Sequence, residues 1–259
     1  MKVVILAGGF GTRISEESVL KPKPMVGIGD WPIIWHIMKE YSARGFNEFI
    51  VCLGYKGYML KEYFSDYFIH TSDVTFDLKK NEMTVHKVKS EPWKVTLIDT
   101  GINTATGGRL KRIKDYLGNK TFMMTYGDGV SDVDMNDVLK YHKEKGKLLT
   151  ITAVKASQRF GIIDVNEDGL VKDFREKNKF DDALINGGYM VLEPEVIDYI
   201  EGDETFFEKE PIENLAKDGQ VAAYVHNGFW KCMDMMRDKK ELESMWAMPN
   251  PPWKVWKDY

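Results

Sequence analysis

The 259-residue sequence predicts an α/β protein with a doubly wound, mostly parallel mixed sheet. Three observations lead to this fold class. Short apolar runs alternate with segments of helical spacing, glycine follows several of these elements, and a glycine-rich loop follows the first apolar run. Alternating strands and helices form parallel sheets with right-handed crossovers. Because such sheets bind ligands at the carboxyl ends of their strands, the loops at those ends are where a functional site is expected.

The individual elements follow from the spacing of apolar residues. Buried parallel strands are predicted at 3–6, 49–53, 121–125 and 148–154. Helices are predicted at 32–44, 58–68, 104–113, 138–145 and 237–246. Gly45 and Gly146 stand where two of these helices should end, as glycine commonly does.

Two stretches interrupt the alternation. Residues 73–99 are rich in β-formers, with Asn81 placed to turn a hairpin, and we interpret them as a β insertion that serves as a lid or a subunit contact. Further along, 162–165 and 170–174 predict a second hairpin, followed by a strand at 187–192. No linker separates these parts. We therefore predict a single domain over 1–259, with a core near 1–155 and a smaller second lobe near 156–259.

Composition excludes several classes of function. With 43% hydrophobic and 29% charged residues, the chain is typical of globular proteins. Its net charge of −4 argues against nucleic-acid binding, which needs a basic surface. No apolar run approaches the ~18 residues of a membrane span. Cys52 and Cys232 have no metal-type spacing, so we interpret them as reduced thiols of a cytoplasmic protein.

The loop after the first strand predicts a phosphate site. Glycines let a ligand approach the backbone closely, and successive N–H groups can form a cradle for an anion. The prolines of Lys21-Pro22-Lys23-Pro24 should hold both lysines on an extended segment, pointing the same way. The third glycine of the dinucleotide fingerprint is missing, and so is the Gly-Lys pair of the P-loop. The residues expected to hold a triphosphate are Leu6, Ala7, Gly8, Gly9, Phe10, Gly11, Thr12 and Arg13, with Lys23 beside them.

Two aspartates are candidate magnesium ligands. Asp128 follows a predicted strand and stands between two glycines, while Asp234 ends a short apolar run just before a helix. Two carboxylates from distant positions suit Mg²⁺, which takes few protein ligands. Both could instead have structural roles, Asp128 in a turn or as a helix cap and Asp234 as an N-cap. Asp132 and Asp134 lie nearer to the helix that Asp128 would cap.

Two further segments carry polar groups suited to the rest of a substrate. Thr104 and Thr106 come at the start of a helix, where they could cap it, and anions bind such ends. The backbone freed by Gly107-Gly108 could read the edge of a base. In the second lobe, an acid, a base and an amide could bind a sugar phosphate. These candidate sugar-phosphate residues are Glu176, Lys177, Asn186 and Gly187.

Together these motifs resemble the sugar-1-phosphate nucleotidyltransferases. The resemblance is carried by the loop at 6–13, Lys21-Pro22-Lys23-Pro24, Tyr126-Gly127-Asp128, Glu176-Lys177 and Asn186-Gly187-Gly188. It is closest to the cytidylyl-transferring members and covers nearly the whole chain, including the β segment at 73–99. It implies a Rossmann-like nucleotidyltransferase fold, Mg²⁺ as cofactor, and CTP and glucose 1-phosphate as substrates. It also implies a homo-oligomer such as a hexamer and a product used for dideoxysugars of surface polysaccharide.

The resemblance also implies a role for each candidate residue. Asp128 and Asp234 would hold Mg²⁺, Arg13 would stabilise the leaving pyrophosphate, and Lys23 would contact the α-phosphate. On the sugar side, Lys177 would neutralise the phosphate, and Glu176 and Asn186 would bind hydroxyls. The residues implied at the cytidine end are Thr104, Gly108 and Arg109. No general base is needed, because the attacking phosphate is already ionised.

Two other functions stay open from the sequence. A related enzyme could use UTP or dTTP, since cytosine is distinguished by its exocyclic amine through groups that a sequence does not display. A non-catalytic homologue could bind sugar nucleotides for regulation. An enzyme is favoured over a non-catalytic homologue by the presence of Arg13, Lys23, Asp128 and Asp234.

Overall fold

The computed structural model describes residues 1–87, 90–155, 162–166, 168–175 and 184–257. The strands in the described residues are β1 (Lys2–Ala7), β2 (Gly27–Ile28), β3 (Trp31–Pro32), β4 (Glu48–Leu53), β5 (Asp73–Asp77), β6 (Glu82–Lys87), β7 (Lys94–Asp99), β8 (Phe122–Tyr126), β9 (Gly129–Ser131), β10 (Leu149–Lys155), β11 (Ile162–Val165), β12 (Val171–Arg175), β13 (Leu184–Leu192), β14 (Val221–His226) and β15 (Trp230–Cys232).

The helices of the same residues are α1 (Ser15–Ser18), α2 (Ile33–Ala43), α3 (Tyr58–His70), α4 (Thr106–Arg112), α5 (Lys114–Leu117), α6 (Met135–Lys145), α7 (Glu210–Lys217) and α8 (Met236–Trp246). Short 3₁₀ turns span Thr12–Ile14, Lys23–Met25 and Pro194–Tyr199. Among the helices described, none has the length and apolar character to cross a membrane.

Nine of the described strands form one central sheet, which confirms the predicted fold class. Parallel pairing runs along β8-β1-β4-β7, and the remaining strands extend the sheet beyond β8 in mixed directions. Alternate side chains of β1 enter two different cores: Val3 and Ile5 belong to one, and Val4 and Leu6 to the other. Because a strand alternates its side chains between the two faces, both faces of the sheet are covered.

The segment predicted as a β insertion contains two different structures. Its first part is the predicted hairpin, in which β5 and β6 pair antiparallel and Asn81 has a φ of 55°. Its last part is not an insertion, because β7 pairs in parallel with β4 at the edge of the central sheet. The extended pattern predicts a strand at this place. Its partner, however, lies more than 40 residues earlier, and a local pattern does not identify it.

The second half of the chain also continues the central sheet. Strand β13 pairs antiparallel with both β8 and β10, and β14, which the sequence analysis did not predict, pairs in parallel with β10. The hairpin of β11 and β12 joins the same sheet through β13. The described strands of the region predicted as a smaller lobe thus belong to the same sheet as the core strands.

The aromatic C-terminus packs against the chain itself. Trp253 is fully buried, and its indole stacks on Phe229 with 5.6 Å between ring centroids. Its Nε1 donates a hydrogen bond to Nδ1 of His36 on α2. Trp256 is nearly as buried, with an edge-on contact to Trp35. These rings thus form part of a core, and their number is no argument for a subunit contact. Tyr259 lies outside the described residues.

Candidate active site

A cleft of about 410 Å³ opens at the carboxyl ends of β1 and β8. These strands are parallel neighbours, with Leu6 opposite Tyr126, so the loops that follow them lie side by side. This is where ligands of such sheets bind. The lining residues are Leu6, Ala7, Gly8, Gly9, Phe10, Gly11, Lys23, Pro24, Ile102, Asn103, Thr104, Ala105, Thr106, Arg109, Tyr126, Gly127, Asp128, Glu204 and Phe206.

Four of the predicted site residues meet in one ionic cluster at this cleft. The Nζ atom of Lys23 lies 2.6 Å from Asp128 Oδ2 and 2.6 Å from Asp234 Oδ1. Arg13 Nη1 lies 2.7 Å from Asp234 Oδ2, and the rest of its side chain is largely exposed. Positions that are more than 100 residues apart in the chain thus converge on one point.

The cluster keeps its charges. Burial alone would lower the pKa of Lys23, but the charges of Asp128 and Asp234 raise it well above its ordinary value. Burial would raise the pKa of Asp234, whereas Lys23 and Arg13 lower it below its ordinary value. An ammonium group therefore sits between two carboxylates. Carboxylate oxygens around a cation are also the ligands that Mg²⁺ takes, so the residues present fit that ion.

Cys232 belongs to the same cluster, and the sequence analysis missed it. Its sulfur and one carboxylate oxygen each from Asp128 and Asp234 all lie within 4.8 Å of one another. Burial, with the charge of Asp128, raises the pKa of the thiol well above its ordinary value. The sequence could have indicated this, because Cys232 is two positions before Asp234 and alternate residues of an extended segment share a face.

The helix-capping alternatives for the aspartates are wrong. The N-cap of α8 is Met235, and the carboxylate that accepts hydrogen bonds from the backbone N–H groups of Asp234 and Met235 belongs to Asp238. The side chain of Asp234 instead reaches Lys23 and Arg13. At α6 the cap is Asp134, whose Oδ1 accepts from Asn136 N at 2.9 Å.

The expectation that Lys21 and Lys23 point the same way is also wrong. Pro22 is extended, but Lys23 begins a 3₁₀ turn that redirects the chain. Lys21 pairs with Glu17 of α1, with 3.4 Å between Nζ and Oε2, while Lys23 enters the cleft. The turn exists because Met25 and Val26 donate hydrogen bonds back to the carbonyl groups of Pro22 and Lys23.

The three glycines of the phosphate loop serve different purposes. Gly11 has a φ of 65°, a conformation that favours glycine. A Cβ on Gly8 would lie 2.1 Å from Nη1 of Arg109, so packing requires glycine there. Among the described residues, apart from those adjoining Gly9 in the chain, no atom lies within 4 Å of a Cβ placed on Gly9. Its missing side chain leaves room on the cleft side of the loop, where a phosphate could approach the backbone.

Arg109 has a different environment from the one that the resemblance implies. Its side chain is buried, and burial lowers the pKa of the guanidinium. It is held by a hydroxyl and four backbone carbonyl groups, those of Thr100, Leu53, Gly101, Gly8 and Ile102. Arg109 therefore ties the phosphate loop to the loop after β7. A contact between Arg109 and a base stays a prediction.

The start of α4 is fixed by packing rather than by threonine caps. The N-cap is Ala105, and neither neighbouring threonine caps the helix. The N–H groups of Gly107 and Gly108 both donate to the carbonyl oxygen of Thr205, so they are not available to read a base edge. A Cβ on Gly108 would lie 2.6 Å from the backbone of Asp203. The two glycines are thus required by the close approach of another segment.

The structure tests only part of the predicted sugar side. Glu176 and Lys177 lie outside the described residues. Asn186 and Gly187 lie on β13, the strand next to β8. The side-chain oxygen of Asn186 accepts from Gly188 N at 2.8 Å, and the carbonyl of Gly187 accepts from Trp230 Nε1 at 2.6 Å. Their contact with a sugar phosphate stays a prediction.

Comparison with known proteins identifies the family. The model of the family described as nucleotidyl transferase matches residues 2–258. The chain belongs to this family. It is 53% identical over 257 residues to the glucose-1-phosphate cytidylyltransferase of Salmonella typhi, covering 99% of this chain and 100% of that protein. It is 46% identical to the probable glucose-1-phosphate cytidylyltransferase of Bacillus subtilis, with the same coverage.

A solved structure has the same fold. HddC from Yersinia pseudotuberculosis, crystallised in complex with GMP-PN, aligns with a TM-score of 0.74 over 95% of this chain and 99% of that chain. The two sequences are 25% identical.

Proposed function

We propose that the protein transfers the cytidylyl group of CTP to α-D-glucose 1-phosphate, giving CDP-glucose and pyrophosphate. The observation that carries the proposal is the ionic cluster of Lys23, Asp128, Asp234 and Arg13 at a cleft whose loop leaves room for phosphates. The full-length similarity to two proteins named for this activity supports the choice of substrates.

In the proposed reaction, a phosphate oxygen of glucose 1-phosphate attacks the α-phosphorus of CTP in line. The new P–O bond forms as the bond between the α-phosphorus and the bridging oxygen breaks, and pyrophosphate leaves with that electron pair. The nucleophile carries no proton that must be removed, so no general base is assigned. Transfers of this kind depend on positioning and charge neutralisation.

The residues of the cluster divide this work. Lys23, released from one or both carboxylates, would place its ammonium group on the α-phosphate, where charge rearranges. Arg13, largely exposed beside Asp234, would meet the departing pyrophosphate. Asp128 and Asp234 would hold Mg²⁺, which when bound neutralises phosphate charge. Backbone N–H groups of the loop at 8–11 would face the phosphates.

The proposal extends to the setting of the reaction. Neither Cys52 nor Cys232 is in a disulfide, as expected of a reducing cytoplasm. We also propose a homo-oligomer, in which the β5–β6 hairpin provides a contact surface, since Phe76, Leu78 and Met83 on it are exposed. CDP-glucose would then supply CDP-linked dideoxysugars for surface polysaccharide, including lipopolysaccharide O-antigen.

The test is an assay with glucose 1-phosphate, Mg²⁺ and each of CTP, UTP and dTTP, with release of pyrophosphate as the readout. We expect CTP to be turned over fastest and CDP-glucose to form. Faster turnover of UTP or dTTP would contradict the proposed nucleotide. Binding of the nucleotide without turnover of any of the three would instead indicate a non-catalytic homologue.

A further inference from the structure

A single carboxylate behind the cleft joins two of its walls. Glu208 Oε1 accepts a hydrogen bond from the hydroxyl of Tyr126 at 2.5 Å, and Oε2 accepts one from Thr106 Oγ1 at 2.6 Å. The backbone N–H of Phe207 donates to the same Thr106 oxygen at 2.9 Å. Both oxygens of the carboxylate thus hold a hydroxyl, and hydrogen bonds to a charged acceptor are stronger than those between neutral groups.

The two hydroxyls come from different parts of the proposed site. Thr106 is the first residue of α4, two residues after Thr104, and Tyr126 is the last residue of β8, two residues before Asp128. Both line the cleft. Glu208 is not among the described residues that do so, and it therefore acts on the cleft only through these two side chains.

The connection continues from Tyr126 to β13. The side-chain oxygen of Asn186 accepts from Gly188 N at 2.8 Å, which fixes the backbone of β13 at this point. Gly188 has a φ of 81°, and a Cβ there would lie 2.6 Å from the Tyr126 ring. The ring therefore packs directly against the backbone of β13, the strand that carries two of the predicted sugar-phosphate residues, Asn186 and Gly187.

We propose that Glu208 is a positioning residue that holds the nucleotide half-site and the sugar-phosphate half-site in register. The path runs from Thr106 through Glu208 to Tyr126, whose ring packs against β13 at Gly188. The inference rests on the proposed function, because it takes α4 as the nucleotide side and β13 as the sugar-phosphate side. In-line attack requires the two reactants to be held within a narrow range of distance and angle, and small displacements cost rate.

Four variants test the path by steady-state kinetics. Thr106→Val cuts the path on the nucleotide side and should raise KM for CTP by about fivefold, with KM for glucose 1-phosphate within about twofold. Tyr126→Phe keeps the ring on β13 but removes its hydrogen bond to Glu208, and should raise KM for glucose 1-phosphate by about fivefold, with KM for CTP within about twofold. Glu208→Ala should raise both KM values and lower kcat. Glu208→Gln should restore most of the activity, because an amide can accept from Tyr126 and donate to Thr106.

The matched control is Glu210→Gln, an exposed carboxylate two residues further on, which should keep both KM values. Wild-type values for both substrates after Glu208→Ala would overturn the inference. If Glu208→Ala does not fold, as judged by circular dichroism, Thr106→Val and Tyr126→Phe decide. The inference would also be overturned if these two variants changed both KM values equally, or changed neither. Failure of the wild-type protein to make CDP-glucose would contradict the proposed function instead.

Discussion

The cations on the two sides of the cleft have opposite kinds of partner. One side holds Lys23 and Arg13, and the other side holds Arg109 of α4. Lys23 and Arg13 are neutralised by carboxylates, whereas Arg109 is held mainly by backbone carbonyl groups. A carboxylate pair can release its cation when a phosphate or a metal ion offers a competing charge. The buried carbonyl groups around Arg109 cannot release it in this way, because each would then be left without a hydrogen-bond donor. The side with Lys23 and Arg13 is therefore suited to exchange partners with a ligand, and the side with Arg109 is suited to hold the loops rigid.

The largest effect that would test this difference is on stability. Arg109→Met should lower the free energy of unfolding by about 3 kcal/mol, because several buried carbonyl groups lose their donor together. Urea denaturation measures this value. Arg112→Met is the control on the same helix: its ion pair with Asp203 lies in solvent, and its loss should cost much less than the loss of Arg109. A loss of stability at Arg109 no larger than the loss at Arg112 would contradict the structural role of Arg109.

The next effect is on catalysis. Lys23→Ala and Asp128→Ala should each lower turnover at least tenfold, about 1.4 kcal/mol of barrier, while the fold stays intact. The readout is pyrophosphate release at saturating substrates, with circular dichroism as the check on folding. Lys21→Ala provides the matched control, since Lys21 pairs with Glu17 rather than with the aspartates. Near-normal turnover in either site variant would refute the assignment.

A smaller effect separates two neighbouring glycines. Gly9→Ala should leave the free energy of unfolding within about 0.5 kcal/mol, because its Cβ meets no protein atom, yet raise KM for CTP about threefold. Gly8→Ala should instead destabilise the fold, since its Cβ would clash with Arg109. Thermal unfolding and steady-state kinetics on both variants measure the contrast. Equal stability losses would show that the loop has no room on its cleft side.

The smallest effect is a difference in pH dependence. Because Lys23 and Arg13 lower the pKa of Asp234 below 3.8, the stabilisation that Asp234 gains from the cluster is present above that value and is lost as the pH falls below it. Lys23, with its raised pKa, stays charged over this whole range. The destabilisation caused by Lys23→Met, measured by urea denaturation, should therefore shrink below about pH 4.

The destabilisation caused by Arg109→Met should persist at the same pH, because carbonyl groups do not titrate. The two variants together form the test. If the destabilisation caused by each variant declined equally in acid, the two sides of the cleft would be held in the same way.

Local patterns predicted a large part of the fold. The helix observed as Ile33–Ala43 was predicted at 32–44, and the strand Glu48–Leu53 at 49–53, because burial of one face or of both leaves a periodic apolar pattern. The place of β7 in the sheet could not be predicted, since an extended segment has the same pattern in a hairpin and beside β4. Strand β14 was missed although three of its residues are buried.

The sequence alone predicts that a phosphate site follows the first strand, and that Asp128 stands at the end of another strand. Glycine content and strand ends are local properties. The tertiary structure decided which partners these residues have: Asp234 with Lys23, Cys232 beside them, and Arg109 under the loop. These contacts join positions up to 211 residues apart, and several of them use backbone carbonyl groups, which every residue carries. Only the folded chain selects among such partners.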